Sequence, residues 1–296
     1  MSKNKAKRIA IYGKGGIGKS TTTSNISAAL AKAGYRTMQI GCDPKSDSTN
    51  TLRGGRYIPT VLDTLFEGRK VKADEVVFEG FAGVYCVESG GPSPGVGCAG
   101  RGITAAVQTL EQLRVFEELE LDFVLFDVLG DVVCGGFATP IREGIADCVF
   151  TVSSADFMSI YAANNLFKGI LKYSNSGGAL LGGMIANSIN TSHDKRIVDD
   201  FCELTATTVI GYIPRSVTVA QSELQGKTTI EAAPLSDQAK VYVELSERIA
   251  AHVEFTVPAP LDVQELRNWA AGWAERLLAV EDEVEDDKDV DVSVHV

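Results

Sequence analysis

The sequence is poor in positive charge, in closely spaced cysteines and in long apolar runs. Its 28 lysines and arginines face 39 carboxylates, a formal net charge of −11. Phosphate binding draws its affinity from clustered Lys and Arg, so this balance argues against a nucleic-acid binder. After Lys3, Lys5, Lys7 and Arg8, the apolar stretch from Ile9 to Tyr12 gives way to glycines. That is too short for the core of a secretion signal or for a membrane span, so a cytoplasmic protein without a membrane partner is expected. Six cysteines (Cys42, Cys86, Cys98, Cys134, Cys148 and Cys202) include no Cys-x-x-Cys pair. They are too sparse for a disulfide framework, and in a reducing compartment they read as thiols or metal ligands. There is also no internal repeat, and no linker before about Val257.

What the chain does have is alternation. Short β-branched apolar runs alternate with longer segments of helical period, the pattern of an α/β fold with a largely parallel, doubly wound sheet covered by helices on both faces. Strands are expected near 8–12, 37–41, 83–87, 123–127, 147–152, 181–187 and 207–213, and helices near 20–33, 103–119, 159–172 and 194–202. Pro258 and Pro260 break the pattern, so 1–256 reads as one domain and 257–280 as a helical appendage. In that appendage Trp269 and Trp273 share a face, suited to packing on the body or to a partner. Residues 281–296 follow as an acidic tail. Between Glu281 and Asp291 lie eight carboxylates and one lysine, the composition of a solvated, disordered segment.

The run Gly13-Lys14-Gly15-Gly16-Ile17-Gly18-Lys19-Ser20 follows the first strand and opens the first helix, the context in which a GxxxxGK[ST] match reads as a P-loop. Glycines let the backbone wrap phosphate at a helix N-terminus, Lys19 reaches the outer phosphates, Ser20 holds Mg²⁺, and Thr21 continues the run. MgATP is therefore the expected nucleotide. Past strand two, Asp43, Lys45 and Asp47 alternate at a strand's carboxyl end, where carboxylates can hold the water shell of Mg²⁺ or answer to the γ-phosphate. Asp127 closes the run 123–126 as a Walker-B-type carboxylate, and Asp131 is placed to orient the attacking water.

Cys98, in Gly-Val-Gly-Cys-Ala-Gly-Arg-Gly, and Cys134, in Asp-Val-Val-Cys-Gly-Gly, both fall among glycines beyond strand ends. A cysteine among glycines is, taken alone, more often a small buried residue than a ligand. Two such loops together suit a [4Fe–4S] cluster, whose sulfides accept hydrogen bonds from exposed amides. A cluster needs about four thiolates, and two copies of the chain related by a two-fold axis would supply them. Asp131 and Cys134 lie three residues apart, so movement of one at a γ-phosphate must pull on the other.

On these motifs the chain resembles the nitrogenase iron protein family. Lys14, early in a Lys-Gly-Gly-x-Gly-Lys loop, resembles the deviant P-loop lysine that in this wider ATPase family crosses a dimer interface to the partner's nucleotide; the alternative is a lysine screening its own phosphates. The stretches 12–22, 41–49, 87–102, 126–137 and 161–165, with Asn187-Ser188, extend the likeness over roughly 7–252. The resemblance implies an ATP-hydrolysing homodimer in which Cys98 and Cys134 bind a shared [4Fe–4S] cluster and Lys14 and Asp131 serve hydrolysis. Asn187 and the Pro214 region would contact the nucleoside. It also implies a ferredoxin or flavodoxin upstream and a heteromeric catalytic component downstream. Arg101 matches an arginine that some members use for docking and that can be ADP-ribosylated. Ser46 and Asn50 depart from the family's usual Pro-Lys-Ala-Asp-Ser-Thr-Arg, and Ser216 stands where an aspartate is usual. These departures favour a nitrogenase-like reductase, methylthio-alkane reductase first. Nickel-sirohydrochlorin cyclase and true nitrogenase are the alternatives, and a partitioning-type ATPase is the rival from another class.

Overall fold

The computed structural model describes residues 5–68, 70–91, 100–130, 138–142 and 144–289. Strands β1 (Lys7–Gly13), β2 (Thr37–Gly41), β3 (Phe78–Glu79), β4 (Tyr85–Glu88), β5 (Phe123–Leu129), β6 (Cys148–Ser153), β7 (Leu180–Asn187) and β8 (Val209–Ile213) form one sheet, in the order β3-β4-β2-β5-β1-β6-β7-β8. Every neighbouring pair is parallel except β3 with β4. The helices are α1 (Lys19–Lys32), α2 (Val61–Phe66), α3 (Gly100–Gln112), α4 (Val115–Glu118), α5 (Thr139–Arg142), α6 (Phe157–Ser174), α7 (Ser192–Leu204), α8 (Val217–Leu224), α9 (Thr229–Ala232), α10 (Asp237–Ala251) and α11 (Val263–Asp289).

Central strands of such a sheet are apolar on both faces because helices cover both. Here Ala10, Tyr12, Ile40, Phe126 and Val149 join Leu110 of α3, Phe167 of α6 and Phe201 of α7 in one core. Their neighbours Ile9, Ile11, Leu125 and Phe150 join Ile26 and Leu30 of α1 and Tyr242 and Ile249 of α10 in the other. Alternate side chains of a strand point to opposite faces, so each strand feeds both cores.

All seven expected strands are present, and the two-residue antiparallel β3 is an addition at the sheet edge. The expected helix 103–119 is two helices. Arg114 adopts a left-handed φ of 55° between α3 and α4, and Val115 and Phe116 are both buried after it.

The last helix is seated on the body. Leu266 is buried in the first core, and the indole N–H groups of Trp269 and Trp273 both donate to one oxygen of Asp200 in α7, at 2.8 and 2.7 Å. Asn164 of α6 pins the approach to α11, exchanging two hydrogen bonds with the backbone of Leu261. The helix runs on to Asp289, past the boundary at 280 that composition alone draws for the acidic tail. Among the described residues no helix is long and apolar enough to cross a membrane.

Candidate functional site

Because β1, β2, β4 and β5 are parallel neighbours, their carboxyl ends meet at one edge of the sheet, where such folds bind ligands. Gly13 ends β1, and Gly16 and Gly18 take positive φ values of 80° and 83°, conformations that glycine adopts without strain. The approach at Gly18 is close: a Cβ there would lie 2.6 Å from the side-chain nitrogen of Asn187. Among the described residues no side chain caps α1. Its first backbone N–H groups therefore point where an anion can accept from them, in a helix field that favours negative charge. This is a cradle for phosphate.

Lys19 and Asp127 meet at its floor. The ammonium lies 2.5 Å from one carboxylate oxygen, both side chains are buried, and Ser48 donates to the other oxygen at 2.6 Å. Buried charge is tolerated only when paired, and each of these two ions satisfies the other. Ser20 lies beside Lys19, with its hydroxyl 3.4 Å from the ammonium. Asp43 accepts from the backbone N–H of Lys45 in a tight turn, while Lys45, Asp47 and Lys14 are exposed.

A cavity of about 650 Å³ opens beside the loop, within the range that small-molecule sites occupy. Gly16, Gly18, Thr21, Asn187 and Pro214 of the expected set line it. Asn187 also donates to the carbonyl of Ile17 at 2.6 Å, which ties β7 to the phosphate loop. Glu223 of α8 lines the same cavity and accepts from the Thr21 hydroxyl, and Leu277 of α11 reaches its rim. Ser216 caps α8, its hydroxyl accepting from the N–H of Thr218. Asp43, Lys45, Asp47 and Lys14 do not line the cavity; they lie in or beside the segments that lead out of β1 and β2.

Sequence reasoning passed over Ser48, Glu88 and Glu223. Ser48 ends the very run in which Asp43 and Asp47 were singled out. Glu88 stands in Val-Glu-Ser-Gly-Gly-Pro, where nothing in the letters distinguishes a buried carboxylate from a surface one. It is fully buried, and one oxygen accepts from both the N–H and the hydroxyl of Thr49, each at 2.7 Å. Burial pushes its carboxyl up to about 7, against those two hydrogen bonds and with help from the charges of Asp127 and Asp47. Glu223 belongs to no local motif and is brought to Thr21 by tertiary folding alone.

Cys98, Cys134 and Asp131 lie outside the described residues, and of Arg101 only the backbone, in α3, is described. The residues leading to them are clear. Gly91 follows β4, and a Cβ on it would sit 2.7 Å from the ring of Pro44. Gly130 follows β5, donates to the carbonyl of Gly13 at 2.8 Å, and has room for no side chain, since a Cβ there would lie 2.3 Å from Gly13. The other four cysteines are buried free thiols. Burial raises all four, and Cys86, Cys148 and Cys202 are pushed up to about 12. A metal ligand must be the thiolate, so these are poor donors. Among the described residues no group of three or more His, Cys, Asp or Glu could hold a metal ion.

Residues 7–274 match the family described as 4Fe-4S iron sulfur cluster binding proteins, NifH/frxC family. The chain is 68% identical over 277 residues to "Nitrogenase iron protein 2" of Paenibacillus durus, covering 94% of this chain and 95% of the relative. It is 52% identical to a protein of the same name from Methanothermobacter thermautotrophicus, over 89% of this chain and 97% of that one. The cell division ATPase MinD of Pyrococcus furiosus superposes with a TM-score of 0.63 at 19% identity, over 82% of this chain and 98% of its own. At that identity the likeness speaks for the α/β P-loop fold alone.

Proposed function

Because this chain belongs to the nitrogenase iron protein family, whose members are ATP-hydrolysing iron–sulfur electron-transfer components, we propose that two copies share one [4Fe–4S] cluster through Cys98 and Cys134 and use MgATP to gate electron delivery. The family supplies the cofactors, a 4Fe-4S cluster and MgATP, and the habit of pairing a homodimer with a catalytic component. When bound, the cluster supplies a one-electron couple and MgATP a phosphoryl bond whose hydrolysis is strongly favourable.

The contact that carries the reading is Gly130 against Gly13, which starts the 131–137 segment on the phosphate loop itself. Asp127, with Ser20 and Asp47, would hold Mg²⁺, and Lys19, paired with Asp127 here, would meet the outer phosphates. Lys14, exposed at the loop, reaches the nucleotide of the other subunit, and Asp131 orients the attacking water. Asp43 and Lys45 respond to the γ-phosphate, Asn187 and Pro214 hold the nucleoside, and Arg101 takes part in docking. Any displacement of Asp131 is passed along three residues to Cys134.

For the acceptor, we favour the heteromeric catalytic component of a true nitrogenase, with ferredoxin or flavodoxin as the upstream donor. The relatives named above carry nitrogenase in their names. The departures that favour methylthio-alkane reductase have local uses as well. Ser216 is an N-cap, a position that serine and aspartate fill about equally, and Ser46 occupies a left-handed turn with φ 55°. The partitioning-type reading shares the fold and lacks the cysteines. Cys98→Ser tests the assignment: the anaerobically purified variant should carry no cluster and bind MgATP within about twofold of the parent, since the phosphate loop is untouched. An intact cluster in that variant overturns it.

A further inference from the structure

Glu88 is buried, and one of its oxygens has no hydrogen-bond partner among the described residues. Fully burying a carboxylate is costly, and such a group persists where its contacts hold something in place. Its other oxygen gathers both donors of Thr49, the residue next to Ser48, whose hydroxyl holds Asp127. Gly41, the last residue of β2, makes room for it: a Cβ there would stand 1.9 Å from the unpartnered oxygen. One residue after Glu88, the N–H of Ser89 donates to the carbonyl of Gly41 at 2.8 Å, and two residues further Gly91 packs on Pro44. The segment 43–49 thus grips the exit of β4 at both of its ends.

From this we infer that Glu88 is a positioning residue that transmits the position of the 43–49 segment to the chain leaving β4, which in sequence leads on to Cys98. The inference rests on the reading of Cys98 as a cluster ligand. It supplies what the Asp131–Cys134 spacing lacks. That spacing couples the nucleotide to one cysteine segment only, whereas the Thr49–Glu88 bond couples it to the other. Both segments then start from a residue fixed to the nucleotide machinery, Gly130 on Gly13 and Glu88 on Thr49, and a change at the phosphates reaches both of these starting points together. The element moved is the 43–49 segment, and the contact that moves it is the Lys19–Asp127–Ser48 chain.

The test is hydrogen exchange of the peptide spanning 89–102 in the anaerobic, iron-loaded dimer, with and without MgATP. The parent should show a nucleotide-dependent change in exchange of about fivefold or more. Glu88→Ala, which removes the acceptor, should bind MgATP and lose that change. Glu88→Gln, which keeps an acceptor for Thr49, should restore it. If Glu88→Ala does not fold, Glu88→Met keeps the volume without the acceptor and must lose the response in the same way. An iron-loaded parent that responds, beside an alanine or methionine variant that responds equally, overturns the inference alone. A parent dimer that holds no iron removes the reading of Cys98 and the inference with it.

Discussion

Glu88 is buried even though both donors of Thr49 meet one of its oxygens, and that burial has a thermodynamic signature. The carboxyl, ordinarily near 4.5, is raised to about 7 in the folded chain. Between those values the folded chain holds a proton that the unfolded chain has released, so this group stabilises the fold fully below about pH 4.5. Its contribution is lost as pH rises through about 7. The amount is on the order of 3 kcal/mol as an upper bound. Urea unfolding of the nucleotide-free protein should show stability falling across that window, and Glu88→Gln, with nothing to titrate, should flatten the slope. An unchanged slope in the variant would assign the dependence elsewhere. At this scale the sequence was legible where chemistry is written locally. Lys19 and Asp127 were both singled out from motifs, and folding joins them across more than a hundred residues. It was illegible at Glu88 and Glu223, because burial and the identity of a distant partner, Thr49 or Thr21, are not properties of any short run.

Helix α11 is held by few bonds, and they converge. Trp269 and Trp273 are the only tryptophans in the sequence, and both donate to Asp200, so the protein's tryptophan emission reports on this helix alone. Asp200→Ala removes a charge-assisted acceptor from two partly buried indoles, a loss of about 2 kcal/mol. Emission should shift to the red and the thermal midpoint should fall. Unaltered emission would mean that packing on Phe201 and the buried Leu266 suffices. Strands and the main helices were legible as elements because each has its own period. The break at Arg114 was not, since the pattern 103–119 is helical on both sides of it and the left-handed residue carries no glycine to mark it. Helices α8 to α10 were missed as well. Capped by Ser216 and Thr228, α8 and α9 span only eight and four residues, too short to show a period; α10, fifteen residues capped by Ser236, has a period that was passed over.

Across the whole molecule, the sheet brings the phosphate cradle and the starts of both cysteine segments to one edge. The described cysteines are buried, protonated thiols unsuited to a metal. Of the six cysteines only Cys98 and Cys134 are then left as the proposed ligands, two per chain for a cluster that takes four, and that proposal calls for a dimer. Lys14 is exposed beside the cradle, and its proposed reach to the partner's nucleotide calls for the same dimer. The fold, shared with MinD, carries no cysteine chemistry of its own; that reading rests on the glycine-flanked cysteines. The most direct test is sedimentation of the anaerobically purified protein, followed by both protein and iron–sulfur absorption, with iron determined on the same fraction. The account predicts a brown dimer in which the two signals move together, with about four irons per two chains. A colourless dimer without iron, or a cluster that sediments with a single chain, would contradict it.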